Sequence, residues 1–278
     1  MPMDQITKAI AFQALQTRPG AFVIPNPWDA GTARILAALG FEALATTSAG
    51  LAFSLGRRDA EGAISRDETL ANARMIVEAT DLPVSADLED GFGPRPEDAA
   101  ETIRRAAEVG LVGGSIEDTT ADPARPIHDF NLAVERMIAA VEAARALPFP
   151  FTLTARAENF QFSRPDLDDT IARLIAFETA GADVLYAPAL PDISAIRKVC
   201  ASVSRPVNVV VGLAGPKFTV AELAEAGVKR ISLGATLARA ALGAFVRAAR
   251  EIAENGTFGF ADQAMSFSEA NDYMRGSE

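Results

Sequence analysis

A closed (β/α)8 TIM-type barrel, with an extra N-terminal helix and a C-terminal helical tail, is the fold class predicted by three features of this chain. Eight short apolar or β-branched runs bounded by turn residues recur along the 278 residues. Stretches with apolar residues at three- and four-residue spacing lie between them and read as amphipathic helices. No Pro- or Ser-rich linker divides the chain into halves, so residues 1–278 read as one barrel domain, with 244–278 as a C-terminal helical extension. An open, doubly wound sheet is the runner-up.

The elements follow one another in order. MDQITKAIAFQALQ from residue 3 predicts a helix ahead of the first strand, FVIP from residue 22. DAGTARILAAL from 29 is a helix leading to EALATTS from 42, and RDETLANARMIVEA from 66 is a helix leading to PVSADLED from 83. EDAAETIRRAAEV from 97 precedes the fourth strand, VGGSIED from 112, and PFTLTARAE from 150 supplies the fifth. DDTIARLIAFETA from 168 is a helix before DVLYAP at 183, with PVNVVVG at 206 and KRISLG at 229 as the last two strands. Gly40, Gly110, Gly181 and Gly227 stand where a left-handed residue would end a helix and release the chain into a strand. A long helix from 235 and a short one from 267 complete the chain. The terminal segment, with Phe258, Phe260 and Phe267, has two readings: a contact with another subunit, or a cap on its own barrel.

Composition narrows the functional classes. Apolar residues make up 49% and charged residues 23%, which fits a soluble globular protein. Twenty-six basic against 37 acidic residues leave a formal charge of −11, so nucleic acid and anionic membrane surfaces are unsuitable partners. An anionic small molecule is still accommodated where local Arg residues or a bound cation reverse the sign. The lone cysteine, Cys200, and the lack of a basic-then-apolar leader or an 18-residue apolar run give the expectation of a cytoplasmic protein.

In such barrels the reactive groups project from the C-terminal ends of strands. The third strand ends in Ser85, Asp87 and Glu89 at alternate positions, which predicts two carboxylates on one face. Burying that charge is costly unless a cation compensates it, and Mg²⁺ typically takes one or two carboxylates plus waters. Asp87 and Glu89 are therefore the first candidates for metal ligands. The fourth strand ends at Glu117-Asp118, and the fifth presents Thr154, Arg156 and Glu158 on one face, where the Arg fork could grip a carboxylate. Asn208 interrupts the apolar run of the seventh strand and reads as a pocket residue. The structural alternative for these groups is a buried salt-bridge network of Arg156 with Glu158 and Glu117. Cys200 reads as helix packing, and His128, the only histidine, as an exposed loop residue with a secondary reading as a general acid.

The fragments SLGRRD at 54, SADLEDGFG at 85, GSIEDT at 114 and TARAENF at 154 resemble, in order and spacing, the isocitrate lyase/phosphoenolpyruvate mutase superfamily over roughly Phe22 to Gly243. The resemblance implies a barrel whose last helix is exchanged between subunits, a homo-oligomer (dimer or tetramer), and Mg²⁺, with Mn²⁺ able to substitute. It also implies small anionic carboxylate substrates, 2-oxo or 2-hydroxy acids that pass through an enolate. Carried over by position, Asp59 matches an acidic catalytic residue, Asp87 and Glu89 the signature carboxylates at the metal, and Glu117 a Glu that supports the metal through its water shell. Arg156 matches the Arg that holds the distal anionic group, Ala49, Gly50 and Leu51 the segment whose backbone N–H groups bind the carboxylate, and Asn208 a substrate-contact position.

Two departures shape the expected activity. Nothing in the chain resembles the lyases' Lys-Lys/Arg-Cys-Gly-His loop, and the loop EDTTADPARPIHDF from 117 lacks the Lys and early Asn of the mutase gate. Arg125 or His128 could replace those gate residues. The leading expectation is a Mg²⁺-dependent carbon–carbon lyase, by retro-aldol cleavage or decarboxylation, acting on a small di- or tricarboxylate. The alternatives are phosphonate P–C chemistry, as mutase or hydrolase, and a non-catalytic 2-oxo acid binder.

Overall fold

The computed structural model describes residues 3–59, 61–120, 122–212 and 217–275, so Met1, Pro2 and the final Gly276 of the predicted tail lie outside the described residues. Eight parallel strands form one sheet: β1 (Phe22–Ile24), β2 (Leu44–Ala45), β3 (Val84–Asp87), β4 (Gly113–Glu117), β5 (Thr152–Arg156), β6 (Val184–Tyr186), β7 (Val207–Val210) and β8 (Arg230–Ser232). Their order is β1-β8-β7-β6-β5-β4-β3-β2. The amide of Ala45 donates to the carbonyl of Pro25, at 3.0 Å, across the remaining seam between β1 and β2. The sheet is thus a nearly closed (β/α)8 barrel, and the open-sheet alternative falls away.

The helices α1 (Gln5–Thr17), α2 (Ala30–Ala38), α3 (Ser48–Ser54), α4 (Arg66–Glu78), α5 (Pro96–Glu108), α6 (Phe130–Arg145), α7 (Leu167–Ala180), α8 (Ile193–Ser202) and α9 (Val220–Glu225) accompany the strands. Their starts are written in the sequence: Asp29 with Thr32, Ser65 with Glu68, and Thr219 with Glu222 form reciprocal capping boxes that satisfy free amides of the first turn. The helix-ending glycines adopt the left-handed backbone anticipated for them, with φ between 85° at Gly40 and 108° at Gly181.

One helix plugs the N-terminal end of the barrel. Ala9, Phe12 and Leu15 of α1 pack with Phe22, Ile24, Ala43 and Val112 in a cluster separate from the main core. Phe12 is fully buried, a burial worth about 1.5–3 kcal/mol, and its ring lies where a Cβ on Gly113 would come within 2.8 Å. The main core lies between the sheet and its helices, where Ile103, Ile116, Leu153, Leu174 and Phe177 are buried. The closed N-terminal end leaves the C-terminal strand ends as the open face.

The C-terminal part departs from the barrel. α10 (Thr236–Asn255) runs unbroken through residue 244, so the expected start of the extension falls inside a helix. Of its twenty residues only Ala238 is buried, and Leu242, Phe245, Val246 and Ile252 are exposed. After a 3-10 turn (Gly259–Gln263), α11 (Phe267–Met274) returns to α2 of the same chain, and the Met274 carbonyl accepts from Arg34 Nη1. Phe258 and Phe267 remain exposed at 65% and 86%, so the tail docks through other residues. Among the described residues no helix is long and apolar enough to cross a membrane.

Candidate active site

Asp87, Glu117, Arg156 and Tyr186 are the last residues of β3, β4, β5 and β6. Strand register sets Glu117 opposite Arg156 and Arg156 opposite Tyr186, so parallel neighbours about 4.8 Å apart present these side chains together. The Arg156 guanidinium is saturated by carboxylates: Nη1 to Asp87 at 3.1 Å, Nη2 to Glu117 at 2.9 Å and Nε to Glu158 at 2.7 Å. It also stacks over the Tyr186 ring at 5.0 Å. The network expected as the structural alternative is therefore present, extended by Asp87.

Of these groups, Asp87, Arg156 and Tyr186 line a cavity of about 60 Å³ at the C-terminal end of the barrel. Its wall includes Thr46, Thr47, Ser85, Ser115, Asn208 and Ser232, an unusually polar interior for a position that is commonly aliphatic. Asp87 accepts from Ser48 Oγ at 3.0 Å, and its own amide donates to Thr46 Oγ1 at 3.0 Å. Asn208 is buried and lines the cavity, as its sequence position suggested, with Nδ2 donating to Ser232 Oγ at 3.0 Å.

Glu89 is placed differently from its sequence expectation. β3 ends at Asp87, and Glu89 adopts φ +48°, so the strand alternation stops before it. Its side chain opens on an adjoining cavity of about 560 Å³ with Asp90, Phe92, Thr120 and His128. Burial first, then the charges of Asp87, Asp59 and Asp90, pushes the Glu89 carboxyl up to about 8. Asp59, half-buried, thus belongs to the same acidic neighbourhood. Burial also raises Glu117 despite Arg156 beside it. Among the described residues, no three Asp, Glu, His or Cys side chains converge as a ready metal cage. The donor set still suits a hard cation that takes one or two carboxylates and fills its shell with water, since proton uptake at Glu89 and cation binding relieve the same repulsion.

The segment Ala49, Gly50 and Leu51 is the first half of α3 rather than an open loop. Gly50 N donates to Thr47 Oγ1 and Leu51 N to the Thr47 carbonyl, so these two amides are already used. Ser48 and Ala49 occupy the first turn, where amides have no intrahelical acceptor.

The loop after β4 is pinned. Thr119 bridges Ile127, Thr120 N donates to the Pro126 carbonyl, and His128 N donates to the Asp118 carbonyl at 2.8 Å. Asp118 itself turns away from the mouth onto Arg173 Nη1 at 3.0 Å. His128 is buried, 8% exposed, because this tie draws it inward, contrary to its reading as an exposed loop residue. Its Nε2 makes no hydrogen bond among the described residues, and burial lowers its pKa to about 4. Arg125 is exposed and pairs with Asp122. Cys200 packs where a side chain on Gly227 would touch it, and burial raises its thiol to about 11, in keeping with a packing role.

Three site residues escape sequence reasoning. Ser48 carries no signal, but Tyr186 closes the run DVLYAP and Arg230 is a charge inside the run KRISLG, each detectable as a polar group in an apolar strand. Arg230 lines the cavity and donates from Nε to Asn208 Oδ1 at 2.9 Å and from Nη2 to Thr154 Oγ1 at 2.8 Å.

Comparison with known proteins gives a consistent result. The family model described as phosphoenolpyruvate phosphomutase matches residues 12–253. The chain is 30% identical to the 2-methylisocitrate lyase of Escherichia coli K12 over 227 residues, covering 78% of this chain and 75% of that one. Among solved structures, a Burkholderia cenocepacia J2315 protein named only to the lyase/mutase level superposes with TM-score 0.95 at 59% identity, over 98% of this chain and 96% of the other. The structure of 2,3-dimethylmalate lyase, a PEP mutase/isocitrate lyase superfamily member, gives TM-score 0.86 at 27% identity over 96% and 94%.

Proposed function

The chain belongs to the phosphoenolpyruvate phosphomutase family, within the PEP mutase/isocitrate lyase superfamily, and we propose that it is a divalent-cation-dependent carbon–carbon lyase. Its substrate is a small 2-oxo or 2-hydroxy di- or tricarboxylate, opened by retro-aldol cleavage or decarboxylation through an enolate. The observation that carries this reading is Arg156 set between Asp87 and Glu117 on the rim of the polar cavity at the strand ends. Anion-binding and cation-binding groups there share one small space, which is what a polarised carboxylate substrate requires.

Asp87 and Glu89 would hold Mg²⁺, or Mn²⁺ in its place, directly or through water, and Glu117 would orient the surrounding waters. Mg²⁺, when bound, supplies Lewis acidity that lowers the cost of negative charge on a substrate oxygen. Arg156 takes the substrate's second carboxylate, which competes with Asp87 and Glu117 for Nη1 and Nη2. Asp59 positions a water or accepts a proton as base. Ala49 offers a first-turn amide to the substrate carboxylate, and Asn208 an amide donor on the cavity wall. The ties of Asp118 to His128 and of Thr120 to Pro126, which hold His128 in a buried setting, and the absence of Lys from the sequence 117–130 favour lyase over phosphonate chemistry.

The exposed apolar face of α10 supports a homo-oligomer in which this helix packs on a second copy, and a cytoplasmic location is part of the proposal. The test is incubation with oxaloacetate, isocitrate, methylisocitrate, dimethylmalate and phosphonopyruvate, with Mg²⁺ or EDTA, followed by proton and phosphorus NMR. Metal-dependent release of pyruvate, glyoxylate or succinate is the expected result. A phosphorus shift from phosphonopyruvate alone would replace the lyase reading with the mutase one.

A further inference from the structure

The buried arginines of this chain differ in what neutralises them. Arg173 pairs with Asp118 and Asp169, and Arg136 donates to the carbonyls of Asp90, Gly93 and Arg95 with Asp90 and Asp98 nearby. Arg156 has three carboxylates. Arg230, 5% exposed, has an amide oxygen and a hydroxyl, and its Nη1 makes no hydrogen bond among the described residues. No carboxylate among the described residues lies within ion-pair distance of it. Burial lowers its pKa only to about 10, so it stays charged at neutral pH. A buried cation without an anion is costly, and the cost is met when a ligand brings the anion.

The surroundings of Arg230 are those of a binding wall. It lines the 60 Å³ cavity together with Ser85, Ser115, Asn208 and Ser232. Because Arg230 Nε occupies Asn208 Oδ1, the Asn208 amide is held with its NH2 toward Ser232, as a donor. At roughly 10–15 Å³ of such space per water, the cavity takes about four to six water-sized groups, the size of an acid with about six non-hydrogen atoms.

We propose that Arg230 is the counter-charge for a substrate carboxylate seated at the barrel end of the cavity, so that the preferred ligands there are acids of two or three carbons and dicarboxylates bind better than monocarboxylates. This inference rests on the small-acid reading of the site. It adds a second selecting charge, on β8, to that of Arg156, so that each of two carboxylates meets a guanidinium on the cavity wall.

Calorimetric titration of the full chain with oxalate and with pyruvate, each in EDTA and in Mg²⁺, tests it with wild type, Arg230→Met, Arg230→Gln and Arg230→Lys. Oxalate affinity is expected to fall about 10–100-fold in the Met and Gln variants under both conditions, the loss of one charge-assisted contact, while Arg230→Lys keeps most of it. Melting temperatures of the Met and Gln variants are expected to hold or rise, since an uncompensated charge is removed; if either variant fails to fold, the other is read. Wild type that binds oxalate no better than the Met and Gln variants do overturns the Arg230 assignment and leaves the small-acid reading in place. Wild type that binds neither acid under either condition overturns both.

Discussion

Asp87 and Arg156, sixty-nine residues apart in the chain, meet at 3.1 Å between Oδ1 and Nη1. The contact joins the last residues of two strands separated by β4, whose own last residue, Glu117, takes the adjacent nitrogen. An acid and a base of the site thus hold each other, and each can be released only to a partner of matching charge.

Replacing Asp87 with Ala should leave the fold intact, because the side chain carries charge and does not pack. Turnover should fall by about 10³-fold or more, the several kcal/mol that a lost Lewis acid represents. Circular dichroism alongside NMR turnover checks both halves. Mg²⁺ should also raise the wild-type melting temperature by mass action and leave the variant's unchanged.

Arg156→Met should destabilise the fold by about 3–5 kcal/mol, because Glu158, 1% exposed, is left as a buried carboxylate without its cation. Adding Glu158→Gln should recover part of that loss. Urea unfolding of the two single variants and the double variant measures the coupling, and strict additivity would contradict it.

His128 makes stability depend on pH. Its folded pKa, about 4, lies below the unfolded value near 6.5, so the unfolded chain binds the extra proton first. The His128 contribution is therefore fully present above about pH 6.5 and is lost as pH falls toward 4. Since the chain has one histidine, its imidazole resonance titrates without overlap and should show an apparent pKa below 5. His128→Gln should flatten the fall in melting temperature over the same interval.

Phe245, 69% exposed on α10, projects beside a groove of about 190 Å³ lined by Trp28, Phe53 and Leu242. Phe245→Glu should lower the oligomeric state seen by light scattering without loss of helix content. An unchanged mass would mean that α10 is not the contact.

Much of this molecule is legible in its sequence. Turn residues and glycines punctuate all eight strands, and capping pairs such as Ser65 with Glu68 mark helix starts, because these signals act within a few residues. The polar strand ends Asp87, Glu117 and Arg156, and Asn208 inside its strand, are equally visible as charge or amide in apolar surroundings. Glu89 misleads because alternation holds only while a strand lasts, and nothing local announces that β3 stops at Asp87.

The order of elements, the open face of the barrel and the residue types on it can be read from the chain alone, since periodicity and capping are short-range properties. Which charges neutralise one another is settled by the folded barrel: Arg156 gathers Asp87, Glu117 and Glu158, the Asp118 carbonyl draws His128 inward, and Arg230 meets no carboxylate among the described residues. Those outcomes depend on strand register and burial across the barrel, where desolvation makes each pairing, or its absence, energetically decisive.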